Sequence, residues 1–409
     1  MKQYVIIGGG VASVGCIEGI RSVDKEGRIV VLSGEGRPVY CRPLISYFLQ
    51  GKTDPEKMKY RPDEFYAENN CEVVYEKAAA IDPARKTVTL ESGESIPYDS
   101  LCVATGSSPF VPAFEGLDTV ENKYGFMTMD DALALDGAVG PDSDVLIVGA
   151  GLIGLKCAEG LCGRAKSITV CDIAPRVLSS ILDGDCAALM QKSLEDHGVR
   201  FELSDSAERF NINTAYMKSG KVLRFDILVL AVGVRPNDSL VGEAGGVCGR
   251  GIRVDTHMRT SLEDVYAAGD CARGYDASTG EDRVLAILPN AVMQGRCAGI
   301  NMAGGDEVFD KAIPMNAIGF FGLHALTAGS YAGELHEVPA GEGVKRLYVN
   351  GGLLSGFILI GDAAGAGVYT AMIREKTPVD SVDFGLLRTS PSMAAFSAQY
   401  RRKTLGEVV

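Results

Sequence analysis

The 409-residue chain has no apolar run approaching the roughly 20 residues that span a bilayer. Its longest, such as Ile227 to Val234, are a fraction of that length, which argues against a transmembrane helix. Only Met1 and Lys2 precede the first apolar strand, so the basic leader and cleavage site of a signal peptide are missing and a cytoplasmic protein is expected. The eleven cysteines are an odd number scattered along a long chain, which speaks against a secreted disulfide framework and for reduced thiols. No cysteine follows Cys297, so the C-terminal region supplies neither a thiol pair nor four thiolates for an iron-sulfur cluster. The four histidines, His197, His257, His324 and His336, have no metal-ligand spacing, and no catalytic metal is expected. A net charge of -13 opposes binding to nucleic-acid phosphates. What the chain does have is glycine, 50 residues of it, in a length that suits two or three domains.

The glycines fall into a pattern. A strand from Tyr4 to Ile7 runs into Gly8-Gly9-Gly10-Val11-Ala12-Ser13, and a strand from Val145 to Val148 runs into Gly149-Ala150-Gly151-Leu152-Ile153-Gly154. Each loop opens a helical segment and is followed by a second strand, Ile29 to Leu32 or Ile168 to Val170, which makes two right-handed βαβ units. In such a loop the first glycine permits a tight turn, the second lets backbone approach a pyrophosphate, and the third lets helix and strand pack closely. The helix N-terminus then meets the anion with unpaired N–H groups. The second copy has all three glycines, and Asp172 ends its next strand, where a carboxylate accepts hydrogen bonds from a ribose 2'-hydroxyl. That placement favours NADH over NADPH, whose 2'-phosphate the carboxylate repels, although Arg176 softens the preference. The first copy puts Ser13 in the third place, still small, and Glu35 supplies its acid. One loop of this kind is as readily a plain turn; two, each with strand, helix and acid, point to two nucleotide sites.

A third element ends in Val265-Tyr266-Ala267-Ala268-Gly269-Asp270. At these residues, with Ala104-Thr105-Gly106 and Ala231-Val232-Gly233, the chain resembles the pyridine nucleotide-disulfide oxidoreductase superfamily. The resemblance covers essentially the whole chain. It implies two Rossmann-like, glutathione-reductase-like α/β domains plus a small C-terminal α+β domain. The FAD-binding domain is expected at 1–112 and 240–310, the NAD(P)H-binding domain at 113–239 and an interface domain at 311–409. By the same resemblance Asp270 holds the flavin ribityl chain, the first loop binds FAD and the second NAD(H), with NADP(H) less favoured. For the C-terminal region, Lys345 to Val349 and Leu353 to Ile360 around Asn350-Gly351-Gly352 predict a hairpin, and Val368 to Arg374 a helix.

Tyr40-Cys41-Arg42-Pro43-Leu44-Ile45-Ser46, with Gly51-Lys52 beyond, resembles the tract beside the flavin ring in rubredoxin reductases and in the FAD portion of nitrite reductases. Relatives that reduce disulfides carry two cysteines there; this chain has Cys41 alone. Cys41 reads either as a redox thiol, which Arg42 would push towards the thiolate, or as a small filler. The residues that follow it differ from those of single-cysteine NADH oxidases, peroxidases and coenzyme A disulfide reductases, which favours the filler. Many relatives place a glutamate seven residues after Gly149; here that residue is Lys156, with Glu159 a turn later. Glu159 is expected to pair with Lys52, or Lys156 to snorkel outward. Arg42, Lys52 and Glu159, with Cys41, are the candidate catalytic groups. The implied activity is hydride transfer from NADH to FAD and onward to an acceptor, a rubredoxin or another small redox protein among the options. The alternatives are Cys41-dependent reduction of peroxide, disulfide or persulfide, and a redox-responsive FAD-binding subunit of a larger complex. A homodimer is a modest expectation from the C-terminal domain.

Overall fold

The computed structural model describes residues 1–340 and 343–405. It divides into two compact units, Met1–Gly274 with Ala286–Phe309, and Tyr275–Leu285 with Asp310–Val409. No helix among the described residues is long and apolar enough to cross a membrane.

The first unit holds two five-stranded parallel sheets. One runs in the order Val265–Ala267, Ser100–Val103, Gln3–Ile7, Arg28–Leu32, Cys71–Val74. The other runs Val199–Leu203, Ser167–Asp172, Asp144–Val148, Ile227–Leu230, Lys123–Tyr124. The inner strands read as continuous apolar runs because helices cover both faces of a parallel sheet, leaving no solvent side for alternation. Val5, Ile6, Ile29 and Val31 are fully buried in one core, Leu228 and Val229 in the other. In both sheets the central strand is the one that delivers the glycine loop, so each loop emerges at the carboxyl edge between two crossovers, where parallel sheets bind ligands.

A glycine pattern absent from the expectations closes the first sheet. Helix Val11–Val23 lies across helix Leu288–Met302, and small residues face each other at the crossing. A β-carbon on Gly15 would sit 2.2 Å from the Val292 carbonyl oxygen, and one on Gly19 2.3 Å from that of Arg296. Reciprocally, one on Gly295 would sit 2.0 Å from the Ala12 oxygen and one on Gly299 2.1 Å from that of Cys16. The two backbones touch, and a side chain at any of these positions must push them apart. Arg21, on the same first helix and only 8% exposed, donates to the carbonyls of Asn69 (2.7 Å), Asp24 (3.0 Å), Gly27 (2.8 Å) and Asn70 (3.4 Å). One guanidinium thereby satisfies the loop that carries the chain into strand Arg28–Leu32.

The second unit is a five-stranded antiparallel sheet ordered Met315–Phe320, Leu323–Gly329, Leu353–Ile360, Gly343–Asn350, Glu334–Ala340. The expected hairpin is present, with Gly351 and Gly352 both at positive φ in its turn. The expected helix spans Ala366–Arg374; its Tyr369 packs on Phe357 and donates its hydroxyl to the Leu387 carbonyl at 2.5 Å.

Candidate functional site

The first glycine loop has the stereochemistry its sequence predicts. Gly8 has φ 127°, donates to the Leu32 carbonyl at 2.7 Å, and would place a β-carbon 2.1 Å from the Ala104 oxygen. No L-residue with a side chain fits there. Gly10 caps the helix and has no heavy atom within 4 Å of where a β-carbon would stand, so the loop leaves a cradle beside free helix N–H groups. Ser13 replaces the third glycine by turning its hydroxyl back onto the Gly10 carbonyl at 2.6 Å. Val11 and Ala12 form the first helical turn.

Around this cradle the chain gathers two carboxylates and one guanidinium. Gly269, at φ 82°, presses on Ala12, where a β-carbon would come within 3.1 Å of the alanine's own. Its N–H donates to the Gln294 side chain at 2.9 Å, which fixes the turn that presents Asp270. Asp270 accepts from the Ser107 hydroxyl at 3.1 Å. Burial pushes its carboxyl above the ordinary aspartate value, opposed by Ser107 and by the charge of Arg42. Glu35 accepts from Arg42 Nη2 at 2.6 Å and from the Tyr40 hydroxyl at 3.0 Å. Arg42 also donates to the Met127 carbonyl at 3.0 Å. Burial opposes the Arg42 charge, but Glu35, Tyr40 and Asp270 outweigh it and hold the guanidinium protonated. An open backbone cradle between two half-buried acids, Glu35 and Asp270, with an arginine that feels both, fits a dinucleotide with its pyrophosphate at the glycines. Pro43 sits second in the short turn Arg42–Leu44.

The second loop repeats the geometry. Gly149 has φ 119°, donates to Cys171 at 2.8 Å and would place a β-carbon 2.2 Å from the Ala231 oxygen. Gly151 is open, like Gly10, and Leu152 and Ile153 begin the helix Leu152–Leu161. Gly154 would place a β-carbon 2.0 Å from the Gly149 oxygen, the close helix-to-loop packing the pattern demands. Asp172 accepts from Ala150 N–H at 2.6 Å and from Ala174 N–H at 2.8 Å, so it braces the loop. The turn after it carries Leu178, a buried leucine at φ 50° whose N–H holds the Ala150 carbonyl at 2.9 Å. Arg176 donates instead to the Leu182 carbonyl at 3.2 Å.

Two strands join the lobes. Ser107–Pro109 pairs antiparallel with Val234–Pro236, and Asn237 locks the crossing by donating to the Thr105 carbonyl at 2.9 Å and accepting the Thr105 hydroxyl on its own carbonyl at 2.7 Å. Gly106 and Gly233 stand just ahead of these two strands, both at positive φ and both with open space where a side chain would be. Ala104 and Thr105 follow strand Ser100–Val103, and it is the Ala104 carbonyl that Gly8 leans on.

The expected charge pairing is corrected. Glu159 bonds Lys156 at 2.7 Å, one turn away on the same helix, rather than Lys52. Lys156 does not snorkel into solvent: its side chain is 19% exposed, and its ammonium lies 5.7 Å from the Tyr47 ring centre, with that of Lys52 at 5.9 Å. The redox reading of Cys41, the less favoured of the two, relied on Arg42 to stabilise the thiolate. Arg42 is committed to Glu35 and Met127, and burial pushes the half-buried Cys41 thiol up, with a backbone bond at Leu44 as the opposing influence. Cys157 is fully buried and Cys162 caps the helix end, both as free thiols. Ser107, Asn237, Gln294 and Tyr47 were not anticipated. Ser107 directly follows the Ala-Thr-Gly motif, which is the one signal that could have found any of them.

The comparisons agree with this architecture. The family model of the pyridine nucleotide-disulphide oxidoreductases matches residues 2–295, and the chain belongs to that family. Among curated relatives, the NADH-dependent phenylglyoxylate dehydrogenase subunit epsilon of Aromatoleum evansii is 33% identical over 92% of both chains. The rubredoxin-NAD(+) reductase of Pseudomonas putida is 31% identical over 73% of this chain and 80% of its own. The reductase in a covalent putidaredoxin reductase-putidaredoxin complex has the same fold, with a TM-score of 0.88, 23% identity and coverage of 95% and 96%.

Proposed function

We propose that the chain is an FAD-dependent NADH oxidoreductase that takes hydride at the second lobe and passes electrons from the first to a small redox protein or small-molecule acceptor. The observation that carries this reading is the duplication. Two loops in one compact unit each set their first glycine against a strand carbonyl and leave the second glycine open. Two dinucleotides, one resident and one exchanging, make use of both.

In this reading residues 1–112 and 240–310, apart from the stretch Tyr275–Leu285 that folds with the second unit, form the flavin domain and 113–239 the nicotinamide domain, with 311–409 serving as an interface domain in a cytoplasmic homodimer. In the first lobe Gly8, Gly10 and the turn Val11-Ala12-Ser13 hold the flavin pyrophosphate. Arg42 neutralises part of its charge, Glu35 takes the adenosine ribose and Asp270 the ribityl hydroxyls. In the second lobe Gly149, Gly151 and the turn Leu152-Ile153-Gly154 hold the NADH pyrophosphate and Asp172 its ribose. When bound, FAD supplies a ring that accepts hydride and can return electrons to acceptors NADH does not reduce directly. The protein's part is to align, to exclude water and to place charge: Lys52, Lys156 and Glu159 act between the lobes. Cys41 is packing beside this site.

Mixing the oxidised holoprotein with NADH under anaerobic conditions tests the input step, and bleaching of the flavin absorbance is the expected result. A flavin that stays oxidised overturns it. A screen of rubredoxins, ferredoxins, oxygen and dyes then defines the acceptor.

Similarity over nearly the full length of both chains to a protein named as a subunit supports a second reading, a flavin-bearing subunit of a larger oxidoreductase. Co-purification of the native protein with stoichiometric partner chains, and slow NADH turnover when alone, would select it.

A further inference from the structure

Between strand Arg28–Leu32 and strand Cys71–Val74 the chain leaves the first lobe in a long excursion. Its base is closed by backbone bonds from Cys41 to Met58 at 2.8 Å and from Tyr60 to Val39 at 3.0 Å. Its tip is the one-turn helix Ile45–Leu49, ended by Gly51 at φ 67°. Ile45, Ser46 and Leu49 are buried, at 5%, 2% and 1% exposure, though five residues cannot make a core of their own. What buries them is the second lobe: the tip packs on helix Met129–Ala138 and on helix Leu152–Leu161, the helix that begins at the nicotinamide loop.

Three contacts seat it. Gly160 faces Leu49 so closely that a β-carbon on the glycine would come 3.0 Å from that of Leu49 and 3.3 Å from the Ser46 carbonyl oxygen. Arg164, just past the helix end, donates to the Leu49 carbonyl at 2.8 Å while bonding Asp136 through its carboxylate at 2.6 Å and its carbonyl at 3.2 Å. Lys156, held by Glu159, presents its charge to the Tyr47 ring. Surface ion pairs elsewhere in the molecule are mostly exposed, whereas this pair is 19% and 8% exposed. A charge pair so desolvated adds little stability, but it gives one registry to the contact it occupies.

We propose that the excursion is a strap by which the flavin loop sets the position of the nicotinamide helix, with Gly160 and Arg164 as positioning residues for hydride transfer. The idea rests on the functional reading above. Gly160 lies nine residues beyond Gly151, roughly 13 Å along a rigid helix, so a displacement at the strap moves the loop as a body. Binding of the nucleotide is untouched, because the loop's own geometry is unchanged. Its aim relative to the flavin is not, and a misplacement of about 1 Å can cost on the order of 100-fold in rate.

The test is Gly160→Val in the FAD-loaded full chain, with three readouts. Flavin reduction at saturating NADH is expected to slow by about 10- to 100-fold, while affinity for NAD+ stays within about twofold. Amide exchange at residues 45–49 of the oxidised holoprotein, which needs no turnover, is expected to accelerate as the tip lifts. Adding Leu49→Gly, which removes the β-carbon that the valine meets, should restore part of both. Arg164→Met, which keeps the glycine and loses the Leu49 bond, should reproduce the faster exchange and part of the slowing. Unchanged reduction rates in both variants, or NAD+ affinity falling in step with rate, or unchanged exchange at the tip, would overturn the strap. If the wild-type holoprotein is itself not reduced by NADH, the functional reading falls, and the exchange measurement still decides whether Gly160 and Arg164 seat the tip.

Discussion

The two glycine-led lobes begin alike and diverge in how each treats what it binds. Gly8 and Gly149 make equivalent bonds to Leu32 and Cys171 and lean on equivalent carbonyls, Ala104 and Ala231. From there the first lobe adds layers: Asp270 and Ser107 on one side, Glu35 with Tyr40 and Arg42 on the other, and a second helix laid against the first. The second lobe adds little beyond its own turn. Asp172 is held by two backbone N–H groups, and beside it Ile173 stands 75% exposed. The contrast is the one expected between a group that stays and a group that must leave each turnover. Enclosure by side chains from several segments slows release, whereas a loop with one acid suits exchange.

Placing alanine at the two leading glycines should separate the lobes most sharply. Each substitution forces a residue into φ above 110° and a β-carbon into a carbonyl oxygen, at a cost of about 3 kcal/mol or more. Gly8→Ala is expected to purify without flavin and to melt early. Gly149→Ala should keep its flavin spectrum yet lose NADH-driven reduction by more than about 100-fold. A Gly149→Ala protein reduced by NADH at the normal rate would reject the assignment of the second loop.

Next in size is the helix crossing that the first lobe has and the second lacks. Gly299→Leu must separate two touching backbones, and a loss of about 3 kcal/mol in urea unfolding, together with flavin release, is expected. Retention of flavin with unaltered unfolding would mean the crossing can open without disturbing the pocket.

How far the sequence discloses this molecule follows from the range of its signals. The loops, their strands and the C-terminal hairpin are local patterns of four to eight residues, and each stands where the pattern predicts. Asp270 is placed by resemblance to a family rather than by spacing, and its seat against Ala12 depends on Gly269, a contact across more than 250 residues that no periodicity records. The glycines of helix Leu288–Met302 are visible as composition, but nothing in a single helix says which partner its small face will meet. Lys156 and Glu159 fail for a simpler reason. Pairing by family position seeks a partner across the lobes, while on a helix the residue three places away is already within reach. Adjacency misleads about the influence of Arg42 on Cys41: neighbours in sequence at a turn point in different directions, and the stronger anion at Glu35 captures the guanidinium.

A paired substitution then sharpens the contrast between the lobes. Arg42→Met removes the cation between Glu35 and Asp270, and a roughly tenfold loss of FAD affinity is expected with NAD+ affinity unchanged. Asp172→Ser should do the converse, weakening NADH by roughly tenfold. Because the same carboxylate holds Ala150, the serine variant should gain no useful affinity for NADPH. Isothermal titration of each nucleotide against both variants checks all four values, and a clean switch to NADPH would show that Asp172 discriminates without bracing the loop.

The smallest expected effect concerns the thiols, and it bears on the same division of labour. A cysteine attacks disulfides, peroxides or alkylating agents as the thiolate, so its position relative to charge decides its use. Cys41 lies half-buried at the base of the strap with its neighbouring guanidinium turned away, and burial raises its pKa above the ordinary thiol value. Cys162, in the second lobe, is pushed up to about 11 by burial and by the charge of Glu159. In both places burial favours the neutral thiol over the thiolate. Cys41→Ser is expected to leave NADH-driven flavin reduction and acceptor turnover within about twofold of the native rate. Alkylation of Cys41 in the holoprotein by iodoacetamide should climb only at pH values above those that activate an unperturbed cysteine, because the thiolate fraction falls as the pKa rises. Rapid labelling at neutral pH, or loss of turnover with disulfide or persulfide acceptors in the serine variant, would place a redox centre at Cys41 and move the first lobe from electron transfer to thiol chemistry.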